Sequence, residues 1–263
     1  MEESRAMRPK WCDGAAARPW VIAHRGYSAI YVENSLEAFS RAIVAGADLI
    51  ETDVRLGREG VLICNHDTDL KRVKNQAVAV TDLSARDLGE HAIVELVKVL
   101  EVARGRAGVL LDVKLKDEDF PARILAEVGR LGMTNEVVFG LHTLAQTRAL
   151  RSHAPDVGIL GFFRDYGEYP AFFAAGGDIA RLWEEDIDER ALGLAHGSTD
   201  NGGERPVWVT SGLRGAGEAV GEIDAERLKG LMEMGIDGIL VNDPVQALGV
   251  RAEFDGYGSS KAE

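Results

Sequence analysis

The sequence lacks the segments that would mark a membrane-spanning or exported protein. No apolar run approaches the roughly 18 residues needed to cross a bilayer, and the N-terminus has no apolar core of the kind found in signal peptides. We therefore expect a protein without a transmembrane segment that stays in the cytoplasm.

Cysteine and positive charge are also scarce. Two cysteines, Cys12 and Cys64, are too few for a disulfide framework and lack the spacing of metal ligands, so we expect free thiols. The chain carries 30 Lys and Arg against 43 Asp and Glu, a formal net charge of -13. Because no basic stripe offsets this negative charge, nucleic acid is excluded as an expected partner.

Motifs for nucleotide binding and serine hydrolysis are missing. There is no P-loop and no Gly-x-Ser-x-Gly elbow, and the glycine-rich segment 215–221 has the wrong spacing for a dinucleotide fingerprint. That segment follows the seventh predicted strand, where barrels often bind phosphate, so a substrate loop is an alternative interpretation.

What the sequence does contain is a regular alternation of short apolar runs and helical stretches. With 263 residues, 46% of them hydrophobic, the chain is long enough for one large domain. Eight principal runs are predicted strands: 20–24, 49–54, 109–115, 137–141, 157–163, 178–183, 206–210 and 238–242. A ninth run, 61–66, is predicted to form a hairpin with the second. The pattern predicts an α/β protein, a single (β/α)8 barrel over residues 19–254, with flexible segments at 1–18 and 255–263.

The first predicted helix shows how the intervening stretches are identified. Asn34 stands where an N-cap is expected, and Glu37 follows three residues later. Apolar residues recur at spacings of three and four, and Gly46 is expected to end the helix.

Polar residues collect at the ends of the predicted strands. They are His24, Arg25, Glu51, Asp53, His66, Asp112 and Lys114. In a (β/α)8 barrel the carboxyl ends of the strands form the catalytic face. Glu51 and Asp53 are two residues apart on one strand and so share a face, which allows three carboxylates, with Asp112, to converge.

Three converging carboxylates would repel one another and lose hydration unless a cation lay between them. Glu51, Asp53 and Asp112 offer only oxygen ligands, which favours Mg²⁺ or Ca²⁺, with Mn²⁺ as a third candidate. The alternative is that some of these acids face solvent or pair only with Arg25 and Lys114.

Two histidines at the same end of the barrel indicate acid–base chemistry. His24 and His66 could act as base and acid in one reaction, and Arg25 and Lys114 could bind a phosphate. The four other histidines fit structural roles better: His91, His142, His153 and His196. Together these groups predict phosphoryl chemistry.

Several motifs resemble those of the glycerophosphodiester phosphodiesterase family. They are His24-Arg25-Gly26, Glu33-Asn34-Ser35, Ile50-Glu51-Thr52-Asp53-Val54, His66-Asp67 and Asp112-Val113-Lys114. The resemblance implies cation-dependent hydrolysis of a small phosphodiester to a phosphomonoester and an alcohol, with attack by a neighbouring substrate hydroxyl. His24 and His66 would be the acid–base pair, without an assignment of which is which. Trp208 is similar to a family tryptophan near the seventh strand and would contact the substrate, unless it is an ordinary core residue.

The sequence also departs from the family's pattern. Asp112 replaces the usual glutamate, as in the related sphingomyelinase D-like enzymes, and Leu141-His142 stands where Ser-Phe is expected. These departures leave open a sugar phosphodiester or a lysophospholipid as the substrate. A barrel that binds phosphorylated ligands without turnover is a further alternative, and the presence of both His24 and His66 argues against it. The expected partner is a small molecule, and the sequence gives no indication of oligomeric state.

Overall fold

Eight parallel strands form a closed barrel in the computed structural model, which describes residues 9–12, 18–197, 204–213 and 220–259. The strands of these residues are β1 (Trp20–Ala23), β2 (Leu49–Leu56), β3 (Leu62–Cys64), β4 (Asp69–Leu70), β5 (Gln76–Ala79), β6 (Val94–Glu95), β7 (Gly108–Val113), β8 (Val137–Leu141), β9 (Gly158–Gly161), β10 (Ile179–Trp183), β11 (Val207–Thr210) and β12 (Gly238–Val241). The barrel order is β1-β12-β11-β10-β9-β8-β7-β2, and pairing of β1 with β2 closes it. The predicted (β/α)8 fold is confirmed.

The helices of the described residues are α1 (Leu36–Ala45), α2 (Lys71–Lys74), α3 (Leu96–Ala103), α4 (Phe120–Arg130), α5 (Leu144–His153), α6 (Tyr169–Ala174), α7 (Glu189–His196), α8 (Ala225–Glu233) and α9 (Pro244–Ser259). A helix follows each barrel strand, and the short helix α2 lies between β4 and β5 in the insertion after β2. None of the helices in the described part of the chain is both long and apolar enough to cross a bilayer.

The predicted hairpin after the second strand is present. Strand β3 runs antiparallel to β2, and β6 pairs with β3 as an outer edge. Because Val94 pairs with Cys64 in that edge, α3 begins only at Leu96.

The side chains of the barrel strands alternate between two apolar environments, as the period of two requires. Ile50 and Val54 of β2 pack outwards into a cluster that includes helix residues such as Phe39 and Leu100. The opposite face fills the barrel interior with Trp11, Ile22, Leu49, Leu110, Val138, Leu160, Phe162, Ile179, Trp208 and Leu240. Above this layer the inward positions become polar, which places the carboxylates at one end of the barrel.

The cap of helix α1 differs from the prediction by one residue. Ser35 is the N-cap, and its side chain accepts a hydrogen bond from the Ala38 amide. Asn34 adopts a left-handed conformation with φ of 53°, and its side chain turns to β2 instead. Gly46 ends the helix as predicted, with φ of 95°.

Part of the predicted N-terminal segment belongs to the barrel. A short 3₁₀ turn, Lys10–Cys12, places Trp11 against the amino ends of the strands, where it is 5% exposed. Its ring lies edge-on to Trp20, with centroids 5.4 Å apart. A Cβ atom on Gly108 would approach the Trp11 ring to 2.7 Å, so the glycine provides the room that the indole occupies. The segment was expected to fray because it is polar, but one large apolar side chain is enough to bury this part of it.

The other end of the chain also differs from the prediction. Helix α9 continues to Ser259, beyond residue 254 where the barrel was expected to end.

We predict that Trp11→Ala destabilises the protein by about 3–5 kcal/mol, because it leaves a cavity at the amino ends of the barrel strands. Urea unfolding followed by circular dichroism measures the change. The control is Val44→Ala on α1, where the side chain is 74% exposed, and that change is expected to stay within about 0.5 kcal/mol. Equal stability of Trp11→Ala and wild type would show that the Trp11 side chain does not stabilise the amino ends of the barrel strands.

Candidate active site at the carboxyl end of the barrel

Three carboxylates meet at the carboxyl end of two adjacent strands. Glu51 and Asp53 lie on β2, Asp112 lies on β7, and Asp53 is the register partner of Asp112. All three are buried, and each offers an oxygen within 4.8 Å of the others. The predicted convergence is therefore present, and the cluster could hold a metal ion. The fit to a hard divalent cation rests on the donor set, which consists of carboxylate oxygens alone.

Two basic side chains contact the same carboxylates. The Lys114 Nζ atom lies 2.8 Å from Asp53 Oδ1 and also contacts Asp112 Oδ2. The Arg25 Nε atom lies 3.2 Å from Asp53 Oδ2, and its guanidinium also pairs with Glu33. The sequence-based alternative, pairing with Arg25 and Lys114, thus coexists with the acidic cluster.

Burial and neighbouring charges pull the pKa values of the carboxylates apart. Desolvation, followed by the charges of Asp53 and Asp112, raises the pKa of Glu51 well above its ordinary value. Desolvation acts in the same direction on Asp53, but Lys114 and Arg25 outweigh it and hold the pKa of Asp53 far below its usual range. The pKa of Asp112 is lowered because Lys114 and His142 outweigh its desolvation.

The loop after β1 supplies hydrogen-bond donors to two of the carboxylates. The backbone amide of Arg25 donates to Glu51 Oε2 at 2.8 Å, and Asn34 Nδ2 donates to Asp53 Oδ2 at 2.8 Å. Arg25 has a left-handed backbone with φ of 56°, a strained conformation that tends to occur at functional sites. Gly26 must be glycine, because a Cβ atom there would lie 2.7 Å from the Ala38 carbonyl carbon. This close approach seats the loop on helix α1.

His24 is buried at the end of β1 and is held by an amide. Its Nδ1 lies 2.8 Å from Asn242 Oδ1, and Asn242 Nδ2 donates to the Val220 carbonyl, which orients the amide. Since an amide oxygen only accepts, His24 Nδ1 carries the proton and Nε2 is left as the proton acceptor. Burial, followed by the charge of Arg25, lowers the pKa of His24 to about 4. The ring is therefore neutral at physiological pH.

His66 is more exposed and is held by a carboxylate. Its Nδ1 lies 2.7 Å from Asp67 Oδ1, and Asp67 in turn pairs with Arg72. A positive charge on His66 lowers the pKa of Asp53. The negative charge of Asp53 in turn raises the pKa of His24. The two histidines therefore face the same carboxylate from different surroundings.

Trp208 does not lie where the resemblance implied. Its side chain is fully buried in the barrel interior, and it pairs in register with Arg181 and Gly238, below the polar layer. The inward position of β11 nearer the carboxyl end is Thr210. A substrate contact by Trp208 is thus wrong, and the alternative of a core tryptophan holds.

Three residues of the site were missed or assigned another role from the sequence. His142, for which the sequence predicts a structural role, has its Nε2 atom 2.7 Å from Asp112 Oδ1. Asn242 orients His24 across 218 residues of sequence. Arg181 is buried inside the barrel, with its guanidinium over the rings of Phe162 and Trp183. His142 and Asn242 each follow directly after a barrel strand, and that position is the signal that could have identified them. Arg181 lies in the middle of β10 and carries no such signal.

Most of the glycine-rich segment 215–221 lies outside the described residues. Its last residue, Gly221, is described and packs against the hydrogen-bonded side chains of His24 and Asn242. A Cβ atom there would lie 2.1 Å from Asn242 Oδ1 and 2.8 Å from His24 Nδ1. This position therefore requires glycine.

Known proteins resemble this chain in sequence. The model of the Glycerophosphoryl diester phosphodiesterase family matches residues 24–159. A glycerophosphodiester phosphodiesterase of Bacillus altitudinis is 23% identical over 89% of this chain and 98% of its own, and one of Arabidopsis thaliana is 28% identical over 92% and 76%.

Solved structures share the fold. A glycerophosphodiester phosphodiesterase of Thermotoga maritima has a TM-score of 0.72 at 23% identity, covering 90% of this chain and 100% of its own. An Oleispira antarctica phosphodiesterase, solved with the product sn-glycerol-3-phosphate, has a TM-score of 0.72 at 17% identity, covering 89% and 97%.

The barrel, its acidic cluster and these relatives define a phosphoric diester hydrolase. More particularly, the chain belongs to the glycerophosphoryl diester phosphodiesterase family.

We predict that Asn242→Asp raises the pKa of His24 in the metal-free protein, because a negatively charged carboxylate on Nδ1 stabilises the imidazolium more strongly than the hydrogen bond to the neutral amide does. An NMR titration of the histidine ring carbons measures the shift. Ser28→Ala is the matched control, since it removes a hydroxyl from Asn242 Oδ1 without adding charge, and it should leave the pKa of His24 low. An unchanged value in Asn242→Asp would contradict the role given to this amide.

Proposed function

We propose that this protein hydrolyses a glycerophosphodiester to a phosphomonoester and an alcohol, with His24 and His66 as the acid–base pair and a divalent cation held by Glu51, Asp53 and Asp112. The observation that carries the proposal is the pair of histidines beside a buried carboxylate cluster, one bonded to an amide and the other to a carboxylate.

His24 is the general base in this proposal. Its neutral Nε2 is the atom available to take a proton, because Nδ1 donates to Asn242. An anionic phosphate beside the ring would raise the pKa of His24 from about 4 towards the working pH, since a negative charge favours the imidazolium.

His66 is the general acid. Its Nδ1 lies against the Asp67 carboxylate, so Nε2 is the ring atom proposed to give up a proton. In the first step a neighbouring substrate hydroxyl loses its proton to His24, its oxygen bonds to phosphorus, and the bond from phosphorus to the leaving oxygen breaks. His66 protonates that oxygen, which leaves as the alcohol. Water then opens the cyclic phosphodiester with the two histidines in reversed roles, which restores both protonation states.

The remaining residues manage the charge of the phosphate. A bound divalent cation would neutralise a phosphoryl oxygen, and we propose Mg²⁺ or Ca²⁺, with Mn²⁺ as the third candidate. In this proposal Lys114, which contacts two of the carboxylates, exchanges these contacts for phosphate oxygens. Arg25, on the loop after β1, neutralises part of the phosphate charge in this proposal, and it also pairs with Glu33 and Asp53.

The glycerophosphodiester is proposed as the substrate on the basis of the family and of the product bound in the Oleispira antarctica enzyme. A lysophospholipid deserves testing because Ile30 and Val32 are exposed in the same loop as Arg25. A cytoplasmic location stays a prediction from the sequence.

A panel of phosphodiesters tests the proposal: glycerophosphodiesters, a sugar phosphodiester and a lysophospholipid, each with Mg²⁺, Ca²⁺ and Mn²⁺, with the released alcohol as the readout. We expect the glycerophosphodiesters to be cleaved fastest, chelation to abolish turnover and a divalent ion to restore it. Preference for another head group would overturn the substrate, full activity after exhaustive chelation would overturn the cation site, and binding without turnover would favour a phospho-ligand-binding barrel.

We predict that His24→Ala and His66→Ala each lower kcat by about 10²–10⁴-fold, the usual range for general acid–base steps. Circular dichroism should show both variants folded. His153→Ala is the matched control because this histidine is exposed on α5 and bonds to a carbonyl of its own helix. If either active-site variant retains more than half of the wild-type kcat, that histidine is structural.

A further inference from the structure

His142 is placed to reach the neighbouring strand. It is the first residue after β8, two positions beyond Gly140, which is the register partner of Asp112 on β7. The ring extends across to that strand, and Nε2 lies 2.7 Å from Asp112 Oδ1. Since a carboxylate oxygen accepts, His142 Nε2 is the donor of this hydrogen bond.

The structure holds the His142 ring in this orientation. The ring stacks on Phe162, with centroids 5.3 Å apart and planes at 20°. Gly140 makes room for Phe162, because a Cβ atom at residue 140 would lie 2.3 Å from its ring. The next residue, Thr143, caps helix α5 through its side chain, which fixes the backbone beside His142.

Each carboxylate of the cluster has one oxygen that accepts a hydrogen bond from a donor other than Lys114. Glu51 Oε2 accepts from the backbone amide of Arg25, and Asp53 Oδ2 accepts from Asn34. Asp112 follows the same pattern, with His142 as its donor. The second oxygens of Asp53 and Asp112 both contact Lys114, the cation now in the cluster.

We propose that His142 is a positioning residue of the cation site, which holds Oδ1 of Asp112 so that Oδ2 faces Glu51 and Asp53. This inference rests on the proposed cation site. Asp112 can rotate about its Cβ–Cγ bond, so a donor on one oxygen decides where the other points. Partners of this kind typically change metal affinity when they are removed.

Two variants separate the hydrogen bond from the packing of the ring. His142→Phe keeps an aromatic ring on Phe162 and removes the donor. His142→Gln removes the ring and keeps an amide N–H at a similar distance from the backbone. His153→Phe, which replaces an exposed histidine on α5, is the matched control.

Isothermal titration of metal-stripped protein with Mn²⁺ gives the readout, and thermal unfolding without metal confirms that each variant is folded. We expect His142→Phe to weaken Mn²⁺ binding by about 10- to 100-fold. His142→Gln should bind nearly as tightly as wild type, and His153→Phe should be unchanged.

Wild-type affinity in His142→Phe would overturn the proposal, as would equal losses in the Phe and Gln variants, which would assign the effect to ring packing. A wild-type protein that binds no Mn²⁺ would overturn it together with the cation site. If Mn²⁺ binding follows the expected pattern but no phosphodiester is cleaved, the proposed function fails and the role of His142 stands.

Discussion

The burial of three carboxylates at one end of the barrel is the constraint on which the rest of the site depends. Glu51, Asp53 and Asp112 are each less than a tenth exposed. An uncompensated charge in such a place costs several kcal/mol, so the fold must supply positive charge next to it. In this structure Lys114 and Arg25 supply it, and a divalent cation would meet the same need. The electrostatic demand of the cluster thus links the stability of the metal-free barrel to the chemistry it can perform.

Orientation is the second contribution of the fold. A barrel brings side chains from neighbouring strands to one point, but it leaves each carboxylate free to rotate. Donors from the loop after β1 and from the end of β8 remove that freedom, and the amide of Asn242 does the same for His24. Reacting groups that are held before the substrate arrives need little rearrangement during the reaction, which is the usual source of electrostatic catalysis.

Local patterns of the sequence were enough to predict the barrel and its acidic cluster. The apolar runs set the strands, and the spacing of two between Glu51 and Asp53 places both side chains on the same face. Partners that are distant in sequence left no such local signal. Asn242 lies 218 residues from His24, and His142 lies 30 residues from Asp112. Trp208 shows the opposite error, because the resemblance placed it near the seventh strand, whereas the structure buries it in the apolar interior of the barrel.

In the proposed reaction, Lys114 gives up its contacts with Asp53 and Asp112 when a divalent cation binds among Glu51, Asp53 and Asp112. Anomalous scattering from crystals grown with Mn²⁺ and a phosphodiester analogue tests it most directly. We expect one Mn²⁺ peak in contact with all three carboxylates, with the Lys114 ammonium moved from Asp53 and Asp112 to a phosphoryl oxygen. A lysine still bridging the two aspartates, with Mn²⁺ bound elsewhere, would contradict it.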